Sequence, residues 1–196
     1  NPAAFTPDLA ASLNNQATIR SKVGDRAGAL TAIDEAVTLY RALAEANPAA
    51  FTPDLAASLN NQATLRSEVG DRAGALTAID EAVTLRRALV KANPAAFTPD
   101  LAGSLNNQAT MRSEVGDRAG ALTAIDEAVT LYRALAEANP AAFTPDLAAS
   151  LNNQATLRSE VGDRAGALTA IDEAVTLRRA LAEANPAAFT PDLAGS

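Results

Sequence analysis

One 46-residue unit repeats along the whole chain and constrains its fold more than any other feature. The segment Asn-Pro-Ala-Ala-Phe-Thr-Pro-Asp-Leu-Ala begins at residues 1, 47, 93, 139 and 185, and 40 of the 46 positions are identical in four complete units. Periods of roughly 20–50 residues are typical of stacked units that bury their faces on one another. We predict one continuous solenoid with repeats 1–46, 47–92, 93–138 and 139–184, and with 185–196 starting a fifth.

Each repeat carries the start and stop signals of two helices. Thr6 and Pro7 are typical of a helix start, so we expect the first helix to run from about Pro7 to Val23, with Phe5 packing just before its cap. Gly24 suits a left-handed stop, and Asp25 caps a second helix over about 26–46 that Asn47-Pro48 ends. Apolar residues cover one broad side of this second helix, which predicts contact with helices on two sides.

The order of large and small residues resembles the tetratricopeptide repeat (TPR). The segment Leu13-Asn14-Asn15-Gln16-Ala17 is followed by Gly24-Asp25 at the turn and by small residues in the second helix, as in that family. The long period is similar to kinesin light chains and to bacterial multidomain arrays. The resemblance implies an all-α, right-handed superhelical solenoid of TPR-like helix-turn-helix repeats, with the first helices on the concave face, acting as a scaffold for protein–protein interaction.

Gln16 and Arg20 depart from the family pattern, because they are polar residues on the otherwise apolar side of the first helix. A buried arginine must be paired, so either this helix is rotated or each repeat holds an internal polar network that uses Asp34, Glu35 or a neighbouring carboxylate. We favour the network. Its predicted members are Gln16, Arg20, Gln62, Arg66, Gln108, Arg112, Gln154 and Arg158.

A second departure is the alternation of Tyr40 and Tyr132 with Arg86 and Arg178 at one position of the second helix. Two interpretations remain open at this position. Arginine can stack on the tyrosine of a neighbouring repeat, or it can extend its head group into solvent from the helix end.

The polar side of the first helix predicts a small, uncharged groove with a stripe of glutamates. Asparagine offers a donor and an acceptor, so a ladder of asparagines suits the backbone of an extended peptide, although it equally suits solvent or contacts between repeats. The glutamates favour a neutral or basic partner. The predicted groove residues are Asn14, Thr18, Asn60, Thr64, Glu68, Asn106, Thr110, Glu114, Asn152, Thr156 and Glu160.

Composition excludes several classes of function. The 196 residues contain no cysteine and no histidine, which removes thiolate and imidazole chemistry and the common zinc sites. The net charge of −7 without a basic cluster argues against nucleic acid, and we find no apolar run of membrane-spanning length. We therefore expect a soluble, cytoplasmic protein that is not an enzyme and needs no metal or cofactor.

The two ends of the chain leave two further interpretations open. Neither end has the polar cap that solenoids usually carry, so the chain is either a segment of a longer array or a unit that stacks head to tail. The predicted partner is thus a protein or peptide, with a second copy of the chain as the alternative.

Overall fold

A computed structural model describes residues 2–184 and contains eight helices in that range, each of 21 residues. The fold is all-α, as predicted. Each repeat contributes two consecutive helices, and short turns separate them. The helices are α1 (Pro2–Lys22), α2 (Arg26–Ala46), α3 (Pro48–Glu68), α4 (Arg72–Ala92), α5 (Pro94–Glu114), α6 (Arg118–Ala138), α7 (Pro140–Glu160) and α8 (Arg164–Ala184).

The turn between the two helices of a repeat is built as the sequence predicts. Gly24 adopts a left-handed backbone conformation with φ of 84°, which a residue with a Cβ rarely adopts. Asp25 caps α2 because its carboxylate accepts a hydrogen bond from the amide of Gly28 at 2.9 Å. The second helices therefore begin and end where we expected, with Asn47 after the last turn of α2.

The predicted start of the first helix at Pro7 is wrong, since this helix begins five residues earlier. In the second repeat, Asn47 caps the helix by accepting a hydrogen bond from Ala50 at 3.3 Å, and Pro48 occupies the first turn, where its missing N–H is harmless. Pro53 forfeits a helical hydrogen bond, yet the helix continues through it. The turn that is added before Pro53 includes Phe51, which is half-buried on the core, and this burial offsets the loss.

The phenylalanines predicted before the cap consequently lie inside the first helices. Phe51 packs on a core cluster that includes Val37 and Tyr40, whereas Phe5 is exposed. The fifth copy, Phe189, and the predicted start of a fifth repeat at 185–196 lie outside the described residues.

The helices pack in chain order, so α3, α5 and α7 each contact the second helices on both sides, whereas α1 contacts α2 alone among the second helices of the described residues. The backbones of α1, α3, α5 and α7 also approach one another in sequence, whereas those of α2, α4, α6 and α8 do not come equally close within residues 2–184. The row of first helices is therefore the inner, concave row. Fully buried isoleucines at 33, 79 and 125 lie between the two rows.

Candidate functional site: the concave face and the joints between repeats

The predicted glutamine and arginine of the first helix meet on an aspartate of the preceding repeat. Gln62 donates a hydrogen bond from Nε2 to Asp34 Oδ1 at 2.7 Å, and Arg66 Nη2 donates to the same oxygen at 3.1 Å. Arg66 Nη1 also donates to Asp71 Oδ2 at 2.7 Å, which ties the network to the cap of α4. The network therefore crosses the joint between two repeats, and Glu35 takes no part in it.

The same arrangement recurs at the next two joints. Asp80 accepts from Gln108 and Arg112, and Asp126 accepts from Gln154 and Arg158. The first repeat has only half of it: Gln16 is exposed, and Arg20 pairs with Asp25. We call this three-residue contact the Asp–Gln–Arg joint.

The capping aspartates carry the clearest electrostatic effect of this network. The amide of Gly74 and the guanidinium of Arg66 lower the pKa of Asp71, because both donate hydrogen bonds to the ionised carboxylate. The bond to Asp71 also raises the pKa of Arg66. Asp25, Asp117 and Asp163 are lowered in pKa by the equivalent glycine amide and arginine.

Three of the four asparagines of the predicted groove accept a hydrogen bond across a joint, each from the second asparagine of the pair in the next repeat. Asn14 Oδ1 accepts from Asn61 at 3.1 Å, and Asn106 Oδ1 accepts from Asn153 at 3.2 Å. Asn60 Oδ1 accepts both from Asn107 at 3.2 Å and from Ser104 at 2.8 Å. The carbonyl side of this ladder thus links repeats.

The predicted threonines and glutamates lie on the same concave face. Each threonine hydroxyl donates its proton to the backbone carbonyl of the asparagine four residues earlier, so the methyl group and the acceptor side of the hydroxyl are left for contacts. Each glutamate accepts a hydrogen bond from a serine of the preceding repeat, such as Ser67 to Glu114 at 2.8 Å. The other two pairs are Ser21 with Glu68 and Ser113 with Glu160.

Two open grooves lie between successive first helices. The groove between α3 and α5, of about 340 Å³, is lined by Thr64, Ser67, Glu68, Asn107, Thr110, Met111 and Glu114. The groove between α5 and α7, of about 310 Å³, is lined by the equivalent residues Thr110, Ser113, Glu114, Asn153, Thr156, Leu157 and Glu160. Both are shallow and repeat the same chemistry, which suits a long, repetitive ligand better than a small molecule.

Arg86 distinguishes the joint between α4 and α5 from its neighbours. Its side chain is 9% exposed, so it is not extended into solvent, and its Nη1 donates to the backbone carbonyl of Asp100 at 2.6 Å and to Ser104 Oγ. Burial lowers the pKa of Arg86. These hydrogen bonds hold the guanidinium at the joint between α4 and α5.

Tyr132 lies beside Arg86 in a cavity of about 440 Å³ that Gly103 and three asparagines also line. Burial, and then the charge of Asp146, raises the pKa of Tyr132 to about 12, so the phenol stays neutral. Where tyrosine replaces arginine, at Tyr40, the following repeat has Ser58 at the position of Ser104. Ser58 Oγ is buried and has no hydrogen-bond partner among the described residues.

Sequence reasoning missed a ladder of ion pairs on the outer row. Arg41 pairs with Glu81 at 2.6 Å, Arg87 with Glu127, and Arg133 with Glu173 at 2.8 Å. Each pair joins one second helix to the next. The constant separation of 40 residues was the available signal, but it becomes meaningful only once the offset between neighbouring helices is known.

The described residues hold no cluster of acidic side chains arranged to bind a metal ion. Across the same range, none of the helices is both long enough and apolar enough to span a bilayer.

Comparison with protein families identifies the repeat. The family model described as anaphase-promoting complex subunit 5 matches four times, over residues 6–52, 50–90, 98–139 and 137–185. The chain belongs to this family of TPR-like helical repeats. No curated protein matches it significantly.

Comparison with solved structures confirms that the chain has the TPR-like solenoid fold predicted from its sequence. BtubC (BKLC) from P. vanneervenii superposes with a TM-score of 0.75 at 18% identity, covering 97% of this chain and 69% of that one. A putative kinesin light chain from Podosopora anserina with nearly identical TPR-like repeats gives 0.67 at 16% identity, with 90% and 76% covered. MamA gives 0.62 at 12% identity, with 90% and 82% covered.

Proposed function

We propose that the chain is a non-catalytic scaffold that binds a protein or an extended peptide along its concave face. The observation that carries this proposal is the row of open, chemically equivalent grooves between α3, α5 and α7. A ligand that crosses several grooves gains from each in turn, so identical weak sites act together. The family description, that of a subunit of a protein complex, also supports a role in protein contacts.

The chemistry of the grooves favours a neutral or basic partner. Glu68, Glu114 and Glu160 each use one carboxylate oxygen for a serine of the preceding repeat and keep acceptor capacity for a ligand. The side-chain oxygens of Asn14, Asn60 and Asn106 accept hydrogen bonds between repeats, so these three residues offer a partner their N–H donors. A partner backbone carbonyl suits these donors, and a lysine or arginine side chain suits the glutamates.

The test is an NMR titration with three capped peptides of equal length, alternating alanine with lysine, glutamine or glutamate. We expect the lysine and glutamine peptides to shift the amide signals of Thr64, Thr110 and Thr156, and the glutamate peptide to leave them unchanged. Glu114→Gln should weaken binding of the lysine peptide about three- to tenfold, since one charged hydrogen bond contributes about 1 kcal/mol at an exposed site.

Glu137→Gln is the matched control, because it removes the same charge from an exposed position on α6. Binding of the lysine peptide should be the same in this variant as in the natural chain. Signals that shift mainly on the second helices, or a glutamate peptide that binds best, would contradict the proposal.

Self-association is a second candidate function, and the exposure of apolar side chains at both ends of the described solenoid favours it. Leu168 on α8 is 63% exposed, and Ile19 on α1 is 62% exposed. Large apolar residues exposed together mark interaction surfaces. In this case the partner is another copy of the chain, and the role is structural.

A further inference from the structure

The outward face of α8 repeats a surface that is buried at every joint inside the chain. Val175 is 39% exposed, whereas Val129, at the same position of the preceding repeat, is 3% exposed under α7. Ile171 is half-buried, while its equivalents at 33, 79 and 125 are fully buried. A surface open to solvent lies beside them, lined by Ala167, Leu168 and residues of α7.

The outward face of α1 is the complementary surface. Ile19 corresponds to Leu65 and Met111, both of which are nearly fully buried against the preceding repeat. Leu9 is likewise exposed, whereas Leu55 is buried. The chain therefore presents, at its two described ends, the two halves of the interface that it forms three times internally.

The polar groups at the two ends are also matching halves. Asp172 is exposed and has no ion pair within residues 2–184, although its equivalents Asp34, Asp80 and Asp126 each bind a glutamine and an arginine. Gln16 and Arg20 are the glutamine and arginine that lack such an aspartate. The apolar surfaces alone would accept many partners, whereas the match of Asp172 to Gln16 and Arg20 favours a second copy of the chain.

The ion pairs of the outer row give a second, independent match. Arg41, Arg87 and Arg133 each pair with a glutamate 40 residues further along. Arg179 is the next arginine of this series, and Glu35 is the first glutamate position; both are exposed and form no ion pair in the described part. A following copy would bring its Glu35 to the place that Glu81 occupies beside Arg41.

We propose that a second copy of the chain packs its α1 on α8 of the first, which completes the Asp–Gln–Arg joint from Asp172 to the incoming Gln16 and Arg20. This inference rests on the self-association proposed above, and it adds which residues are in contact and in which direction the copies stack. The alternation of tyrosine and arginine continues in step, because Arg178 precedes the Tyr40 of the next copy. The two surfaces differ, so the contact is head to tail and leaves a free end at which another copy adds.

The sequence shows which contacts belong to a second copy alone. Residues 185–196 repeat residues 1–12 with a single difference, Gly195 for Ala11. Gln16, Arg20 and Glu35 come after this segment, so they are contacts that only a second copy supplies.

The test is sedimentation velocity of the full chain from about 1 µM to 1 mM, with two variants that each block one end. Asp172→Arg places a cation opposite the incoming Arg20, and Gln16→Asp places a carboxylate opposite Asp172. We expect the natural chain to grow with concentration. Each variant alone should require at least tenfold higher concentration, which corresponds to about 1.4 kcal/mol of lost contact energy.

Mixing the two variants tests the direction of the contact. Each retains one natural end, so a mixture should form a complex through the natural Gln16 end of one variant and the natural Asp172 end of the other. Glu137→Arg and Thr77→Asp, exposed positions away from both ends, make the same changes in net charge and should associate like the natural chain. Circular dichroism checks that every variant keeps its helices.

The outcomes separate this inference from the broader candidate function. A natural chain that stays monomeric over the whole range would overturn self-association altogether. A natural chain that associates while Asp172→Arg behaves like Glu137→Arg would leave self-association standing and overturn this contact. A mixture of the two blocked variants that stays monomeric, while the natural chain grows, would overturn the head-to-tail direction.

Discussion

The second and fourth repeats are almost identical in sequence, yet their second helices lie in different environments. In α4, Ile79 and Val83 are buried between α3 and α5, whereas in α8 the equivalent Ile171 and Val175 are partly open to solvent. Both helices have the same length, and α8 carries the same residue at every position that is buried in α4. The difference shows that a repeat of this chain fixes its own shape, while its neighbours fix how much that shape is stabilised.

The first consequence is that an identical substitution should have unequal effects in the two repeats. Ile79→Ala removes a fully buried side chain and leaves a cavity, which should lower the free energy of unfolding by about 2–5 kcal/mol. Ile171→Ala should lower it by roughly half as much or less, because part of that side chain already contacts water. Urea denaturation at low protein concentration, where copies do not associate, measures both. Equal losses would mean that the fourth repeat is covered in solution as fully as the second.

The sequence predicted the turn of each repeat better than the start of its first helix. Gly24 and Asp25 act locally, since a left-handed residue and a cap need only the backbone beside them. Thr6 and Pro7 are also local signals, of a cap and a first helical position, and they led to the wrong start. Burial of Phe51 against the preceding repeat outweighs the hydrogen bond lost at Pro53, and burial of this kind depends on packing that no local rule contains.

The candidate site was predictable by residue type but not by partner. Gln62 and Arg66 were expected to need a carboxylate because they interrupt an apolar side. Their partner, Asp34, is 28 residues from Gln62 along the chain and becomes a neighbour only once the offset between repeats is set. The asparagine ladder shows the same limit, since its sequence fits a peptide groove and a joint between repeats equally well.

A second comparison concerns two equivalent buried serines, each at a different joint between repeats. Ser104 is bonded to Arg86 and to Asn60, whereas the equivalent Ser58, which follows Tyr40, has no partner among the described residues. Ser104→Ala should lower the free energy of unfolding by about 1–3 kcal/mol, because it leaves a buried guanidinium less well satisfied. Ser58→Ala should be neutral or slightly stabilising, since it removes an unpaired buried hydroxyl. Urea denaturation of both variants measures the difference. Equal losses in the free energy of unfolding would mean that the alternation of tyrosine and arginine does not affect the stability of the joint.

The smallest expected effect concerns the aspartate that caps the second helix, because inner and terminal repeats share this cap. The pKa of each capping aspartate is lowered in the folded chain, from Asp25 in the first repeat to Asp163 in the fourth. A carboxyl whose folded pKa lies below its unfolded value, near 3.9, adds stability above that value, and this stability is lost as the pH falls through the folded pKa.

Asp71→Asn keeps an oxygen for the amide of Gly74 but removes the charge that Arg66 binds. The variant should therefore be less stable than the natural chain at pH 7 and should approach it as the pH falls from 4 towards 2. The same change at Asp163 should follow the same curve, because its glycine and arginine partners belong to its own repeat. Thermal unfolding across this pH range measures both variants. A pH dependence that differs between them would show that even the local cap depends on the neighbouring repeat.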